Sequence, residues 1–237
     1  MRYIACLVCA VLWGPTSVIA GPPTVGPDTT YYLEPLDDKG YVDYVAALNA
    51  AFGDADAPPQ ENALLGVLNQ IDLSDWPEGH VPALYAALDA QLPVHEHAVF
   101  VRFDDYALGL GFPQAPPFDW ENAAPDEEPP PPSPGTIDAM EMQADAAPWT
   151  EDELPLVAQW LATVNAPLDA LVEATKRPSY YAPLVRPHPD AVTYEVLLPQ
   201  LTVHRAIARS LNMRIRWHLG RNDMNAAIAD WAALKRL

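Results

Sequence analysis

The apolar positions of this chain recur at intervals of three and four over most of its length, the pattern of helices with one buried face. Tyr41, Val45, Leu48 and Phe52 predict a helix from Asp37 to Gly53, with Gly53 as its terminator and Ala57-Pro58-Pro59 as the turn. Leu64, Leu65, Leu68 and Ile71 predict a second over Glu61–Ile71. Leu84, Tyr85 and Leu88 predict a third, with Pro82 in its first turn, running on to Leu92. Ala98–Phe103 is the only β-like stretch, too short to found a sheet.

Farther along, Thr150 followed by Glu153 has the form of a capping box that opens a helix through Leu156, Val157, Trp160, Leu161 and Val164. A new helix is expected from Ala166-Pro167 to Lys176, ending before Pro178. The longest is predicted from about Asp190 to Leu219, kinked or divided at Pro199. Its Leu197, Leu201, His204, Ala208, Leu211, Ile215 and His218 follow a 4-3-4-3-4-3 spacing, a seam that faces another helix. Gly220 ends it, Asn222 or Asp223 caps the next, and Met224, Ala227, Ile228, Trp231 and Leu234 form the matching face. The expected fold class is all-α: antiparallel helical hairpins in an irregular or solenoid-like array, with a Pro-rich loop and little or no β.

Proline divides this pattern. Of 27 prolines in 237 residues, nine lie between Phe112 and Gly135, beside Asp126-Glu127-Glu128. They predict a polyproline-type acidic linker over 113–135, between an N-terminal helical region at 37–112 and a C-terminal one at 136–237. Residues 21–36 are expected to be an extended leader. Residues 1–20 read as a secretory signal peptide: Arg2, an apolar run of eleven from Tyr3 to Trp13, a break at Gly14-Pro15 and cleavage after Ala20. Such a run is shorter than the roughly 20 residues a membrane span needs, so the mature chain is expected in the periplasm or outside the cell, without an integral span. Cys6 and Cys9 both fall in this segment, and a cysteine-free mature chain excludes disulfides, thiol catalysis and thiolate metal sites.

Charge sharpens the picture. The chain carries 32 acidic and 13 basic residues, net −19, which repels phosphate backbones and excludes nucleic acid as the main partner. The charge is uneven: residues 1–175 hold 28 acids and three bases, residues 176–237 four acids and ten bases. Arg205, Arg209 and Arg216 line one flank of the long helix, so this basic end can attract the acidic body or dock a further acidic hairpin. The C-terminal hairpin is therefore the expected contact surface for another protein.

Motif chemistry is sparse. The chain has no Gly-rich phosphate loop, dinucleotide fingerprint, nucleophile elbow or zincin motif, and no cofactor is expected. Paired carboxylates carry no information in so acidic a chain. His95 and His97 form a weak metal candidate that would need His80, Asp104 or Asp105 to complete it; a solvated turn after Pro93 is the adopted reading, with no metal. His204 and His218, 14 residues apart and so about 21 Å apart along a helix, cannot share an ion and are expected to hydrogen-bond across the hairpin. The densest patch comprises Glu173, Lys176, Arg177, Tyr180, Tyr181 and Arg186, which could receive an anion or a sugar face. In the favoured alternative the two cations complement a helix C-terminus and the tyrosines pack over the next helix.

Two resemblances add to this reading. Trp217-His-Leu-Gly-Arg-Asn-Asp-Met-Asn-Ala-Ala-Ile-Ala-Asp-Trp231 resembles a single tetratricopeptide-type unit covering about 203–237, with Gly220 and Ala227 allowing close helix approach. More broadly, Pro35–Asn49, Pro148-Trp149, Trp160-Leu161, Pro167-Leu168 and Val172-Glu-Ala-Thr-Lys-Arg-Pro-Ser-Tyr-Tyr-Ala-Pro-Leu184 together resemble an uncharacterised exported-protein family of planctomycete-type bacteria. That resemblance implies export, a helical fold and a fragment or shortened form of a longer protein; it transfers no site residues. The function expected from all this is a non-enzymatic exported scaffold or protein-binding module of the cell envelope. The alternative is an envelope hydrolase using carboxylates and the Lys176/Arg177/Tyr180/Tyr181 patch.

Overall fold

The computed structural model describes residues 25, 26, 28, 31–52, 58–74, 76–92, 99–119, 121, 122, 124, 128–186, 188 and 193–237, with backbone alone for 52 and 193–200. Among them are eight α-helices and no strand, only isolated bridges, so the fold is all-α. The helices are α1 (Tyr44–Phe52), α2 (Ala63–Leu68), α3 (His80–Ala87), α4 (Phe103–Gly109), α5 (Ile137–Ala146), α6 (Pro155–Ala174), α7 (Thr193–Gly220) and α8 (Met224–Leu234). The proposed signal segment, with Cys6 and Cys9, lies outside the described residues, as do His95 and His97. No described helix is long and apolar enough to cross a membrane.

The chain divides into two compact units, Met1–Ala47 and Leu48–Leu237. In the first, the helix expected from Asp37 begins only at Tyr44. The Asp37 carboxylate accepts the Lys39 and Tyr41 N–H groups, each at 2.9 Å, and Gly40 takes φ +81°, so this stretch is a turn. Asp43 caps α1 instead, accepting the Ala46 N–H at 3.0 Å.

The second unit is built around α6, whose Val157, Trp160, Leu161, Val164, Leu168 and Leu171 are buried. Helices α2, α4 and α8 pack on it, and α5 packs on α4 and α7. Trp160 is wholly buried and stands edge-on to Phe103 at 5.5 Å, while its indole N–H donates to the Val101 carbonyl at 2.8 Å. The break expected at Ala166-Pro167 is absent: α6 runs through a buried Pro167. An internal proline removes one intrahelical hydrogen bond, and here the helix is held on both sides of it by the buried Leu168 and Val164. Thr150 and Glu153 do interact, the Thr150 N–H donating to Glu153 Oε2 at 2.8 Å, but they close a separate turn before α6 starts at Pro155.

Other boundaries also move. Helix α3 stops at Ala87 rather than near Leu92, because Asp89 adopts φ +49° and the Ala90 N–H turns back to the Tyr85 carbonyl at 2.9 Å. The β-like stretch contributes one parallel bridge, Phe100 to Ile71, and its end becomes the first turn of α4. Helix α5, unforeseen in the sequence, is capped by the Thr136 hydroxyl, which accepts the Ala139 N–H at 3.3 Å. The described linker residues are irregular, and both ends of the excursion are tied near α5. Pro113 accepts the Ile137 N–H at 2.9 Å, and the Ala115 N–H donates to Asp138 at 2.7 Å.

Helix α7 is continuous through Pro199, and Asp223 caps α8 by accepting the Ala226 N–H at 3.1 Å. The two form the expected hairpin, but its faces are rotated. Ala227, Asp230 and Ala233 point inward from α8, while Met224, Ile228 and Trp231 are 58, 55 and 53% exposed. On α7, Ile207, Ser210, Leu211, Met213, Arg214 and Ile215 are buried and Leu201 is exposed. Gly220 makes its close approach to another segment: a Cβ there would lie 2.0 Å from the Trp149 carbonyl oxygen.

Candidate functional site

Glu173 lies in the last turn of α6, and the residues from Thr175 to Arg186 that follow form a strap rather than a cluster of convergent side chains. Two asparagines hold its backbone. Asn62, the N-cap of α2, accepts the Leu64 N–H at 3.0 Å and the Tyr181 N–H at 3.2 Å through one oxygen, while its amide nitrogen donates to the Tyr181 carbonyl at 2.9 Å. Asn49 does the same to Leu184, accepting its N–H at 2.7 Å and donating to its carbonyl at 2.8 Å. A primary amide presents one donor and one acceptor in a plane, so each side chain substitutes for a neighbouring strand. Backbone pairing adds to this: the Ala63 N–H donates to the Ser179 carbonyl at 2.8 Å and the Ser179 N–H to the Glu61 carbonyl at 3.2 Å.

The six side chains then go separate ways. Lys176 pairs with Glu173 on the surface. Arg177 donates to the Asn62 carbonyl at 2.9 Å, beneath the close α2–α6 approach at Gly66. Tyr181 packs against the core, and the Tyr180 hydroxyl meets the His204 ring, with its own pKa pushed up to about 12 by burial. Arg186 is half-buried. Glu173 and Arg177 share a shallow groove of about 290 Å³ with Gly66, Asn69 and Gln70, and Lys176, Tyr180 and Tyr181 lie outside it.

Of the basic flank, Arg209 donates to Glu141 of α5 at 3.1 Å; burial raises the Glu141 carboxyl pKa against the pull of that cation. Arg205 is exposed, and Arg216 is half-buried with its Nε unpartnered. His204 meets Tyr180 rather than α8, whereas His218 does face across the hairpin, 3.6 Å from the Asp230 carboxylate. Among the described residues no group of three His, Cys, Asp or Glu side chains could hold a metal ion. Asp104 and Asp105 are engaged by Arg102, and His80 is enclosed.

Two features were not read from the sequence. Arg214 is buried in the hairpin, where it pairs with Asp230 and also reaches Asp169 of α6 at 2.8 Å. The sequence shows only an arginine among arginines there; the signal was its position, between Leu211 and Ile215 on the predicted seam. The other is the outer face of α8. Met224, Ile228 and Trp231 sit at i, i+4 and i+7, one continuous exposed stripe, with Arg221, Lys235 and Arg236 exposed around it. Lys235 lies over the Trp231 ring at 5.7 Å. Burying the three side chains would release about 1.5–3 kcal/mol each, and single exposed apolar residues are ordinary while an aligned set rimmed by charge marks a contact surface. No family model, curated protein or solved structure matches this chain.

Proposed function

We propose that this protein is a non-enzymatic exported helical scaffold or protein-binding module of the cell envelope, with the outer face of α8 as its contact surface. The observation that carries the reading is the Met224/Ile228/Trp231 stripe, left exposed because α8 turns Ala227, Asp230 and Ala233 toward α7 and α6. The partner is inferred from charge. Lys235 and Arg236 are exposed beside Trp231, Arg221 pairs with Glu151 at 3.6 Å, Asp223 is exposed beside Met224, and Asp230 is neutralised by Arg214, which leaves a cationic excess at the Trp231 end of the stripe. Two copies meeting at their Lys235 and Arg236 ends would bring like charges together, whereas an amphipathic helix with acidic residues facing that end would gain both apolar burial and attraction. The divergence of Glu173, Lys176, Arg177, Tyr180 and Tyr181 offers no observation in favour of the hydrolase alternative.

The test uses the chain and its Ile228→Asp/Trp231→Ala variant as parallel baits on envelope extract. Both substitutions lie on exposed positions, so the fold should persist. A partner captured saturably by the parent, lost by the variant and released by an acidic amphipathic peptide supports the reading. The same proteins on both baits would overturn it. Export is tested separately: protein isolated from its cells should begin at or near Gly21, and a chain retaining Met1 in the cytoplasm would reject that part.

A further inference from the structure

Tyrosine is concentrated in the first unit. Residues 28–44 hold Tyr31, Tyr32, Tyr41 and Tyr44, against ten tyrosines in the whole chain. Three of them touch. Tyr31 stands edge-on to Tyr32, with ring centroids 5.3 Å apart and planes at 84°, and Tyr32 stands edge-on to Tyr44 at 6.3 Å and 89°. Perpendicular rings at these separations hold each other through the positive edge of one and the negative face of the other. The cluster does not belong to a core: Tyr31 is 92% exposed and Tyr44 44%, with Tyr32 half-buried. A ring left so open to water adds little burial to the fold, so burial does not account for its place there.

Rings set at right angles offer two walls. The flat apolar face of a sugar stacks on one ring at a time and would use only one of them. A methylated ammonium is nearly spherical, touches both walls at once and is drawn to their negative π-faces. The surrounding charge agrees with this. Residues 28–44 carry five acids, Asp28, Glu34, Asp37, Asp38 and Asp43, against Lys39 alone. Asp43 caps α1 and Asp37 holds its own turn. Asp28, Glu34 and Asp38 are exposed and enter no ion pair among the described residues. Glu34 is two residues from Tyr32 and Asp28 three from Tyr31, so their Cα atoms lie at most about 7 and 11 Å from those of the rings. These spans are close to the Debye length of about 8–10 Å at physiological ionic strength, so the acids favour a cation at the rings without touching it. The same field opposes a phosphate-linked headgroup, whose anion would sit beside its ammonium.

We propose that this tyrosine cluster binds a small quaternary ammonium compound that carries no neighbouring anion. Its methyl groups lie in the right-angled corner between Tyr31 and Tyr32, and Tyr44 sets the orientation of Tyr32. The π-faces carry the recognition, and the hydroxyls are not needed. The proposal uses residues of the first unit alone and does not rest on the α8 face.

The test follows the tyrosine ring resonances of the full chain by NMR while choline is added. Three parallel titrants are 3,3-dimethylbutan-1-ol, which is the neutral carbon isostere of choline, phosphocholine and methyl β-glucoside. Choline should bind roughly fivefold or more tightly than each of them, and its preference over the alcohol should shrink in about 0.5 M salt as the acids are screened. Tyr31→Leu should weaken choline binding by roughly fivefold or more. Tyr31→Phe keeps the ring, loses the hydroxyl and should bind as the parent does. Position 31 is so exposed that neither substitution should disturb the fold. Equal or tighter binding of any of the other three compounds, or no saturable shift with choline into the high-millimolar range, would overturn the proposal. So would a Tyr31→Leu variant that binds choline as the parent does, or a Tyr31→Phe variant that loses it.

Discussion

Arg214 and Asp230 face each other across the α7–α8 hairpin through two parallel hydrogen bonds, Nε to Oδ2 and Nη2 to Oδ1, both 2.7 Å long. Their side chains are 3 and 4% exposed. A planar guanidinium and a carboxylate satisfy each other in this geometry, which fixes the rotation of one helix against the other as well as their separation. The remaining Nη1 reaches Asp169 at 2.8 Å and ties the hairpin to α6. The pair therefore explains why α8 shows its isoleucine and tryptophan to solvent: the face that meets α7 is the one that carries the counter-ion.

Removing one member should be far more damaging than removing both. Arg214→Met leaves Asp230 buried without its cation and should lower stability by about 3–5 kcal/mol. The double variant Arg214→Met/Asp230→Leu buries no charge and should recover most of that loss. Asp169 is largely exposed, and Asp169→Asn should cost less than about 1 kcal/mol. Urea midpoints of the four proteins decide it; equal losses for the single and double variants would show that packing, and not the buried charge, sets the cost.

The asparagine clamps predict a local effect. Asn62→Ala removes the α2 cap and both bonds to Tyr181, and Asn49→Ala removes both bonds to Leu184. Each lost net hydrogen bond is worth about 0.5–1.5 kcal/mol. In Asn49→Ala the Leu184 amide should exchange with solvent at least tenfold faster, while amides in the middle of α6 keep their parental rates. Uniform acceleration across the chain would mean that the clamp is global rather than local.

The elements legible in the sequence were those whose own periodicity decides them. Leu64, Leu65 and Leu68 marked α2, and Val157, Trp160, Leu161 and Val164 marked the first half of α6; all are buried as expected. Helix α5 escaped because only Ile137 and Ala144 of its ten residues are buried, too few to print a pattern. The inward face of α8 has no local signal, because an aspartate normally lies outside and only pairing with Arg214 sixteen residues earlier makes Asp230 an interior residue. The sequence of the strap stands out by its cations and tyrosines, yet what organises it is backbone, held by asparagines 119 and 135 positions away. Separations of that size leave no local trace.

Gly220 tests the packing of the hairpin against the segment before α6. A Cβ at this position would lie 2.0 Å from the Trp149 oxygen and 2.6 Å from its carbonyl carbon, which are backbone atoms that cannot swing aside. Gly220→Ala should therefore cost about 1–3 kcal/mol, although alanine is the better helix former by about 1 kcal/mol. Gly109, also helical, has nothing within 4 Å of its hypothetical Cβ. Gly109→Ala should be neutral or slightly stabilising, and thermal unfolding of the two variants side by side separates overpacking from propensity.

His80 gives the chain a predictable response to acid. Its side chain is 0% exposed, neither ring nitrogen has a partner, and burial lowers its pKa from the ordinary 6.5. His218 is shifted the same way by burial, opposed by the Asp230 charge. With folded pKa values below the unfolded one, the unfolded chain binds more protons once the pH falls below about 6.5. The stabilisation from keeping these rings neutral is thus complete above that value and is lost as the pH drops toward the folded pKa, by at most about 1.4 kcal/mol per pH unit for each histidine. His80→Leu substitutes an apolar side chain for one whose polar atoms gain nothing, so it should raise the urea midpoint at pH 7.5 slightly or not at all. At pH 5.5, still above the range in which most carboxylates titrate, the same variant should exceed the parent clearly. A parent and variant that lose stability in parallel between pH 7.5 and 5.5 would place the acid response on other groups and show that His80 finds a partner in solution.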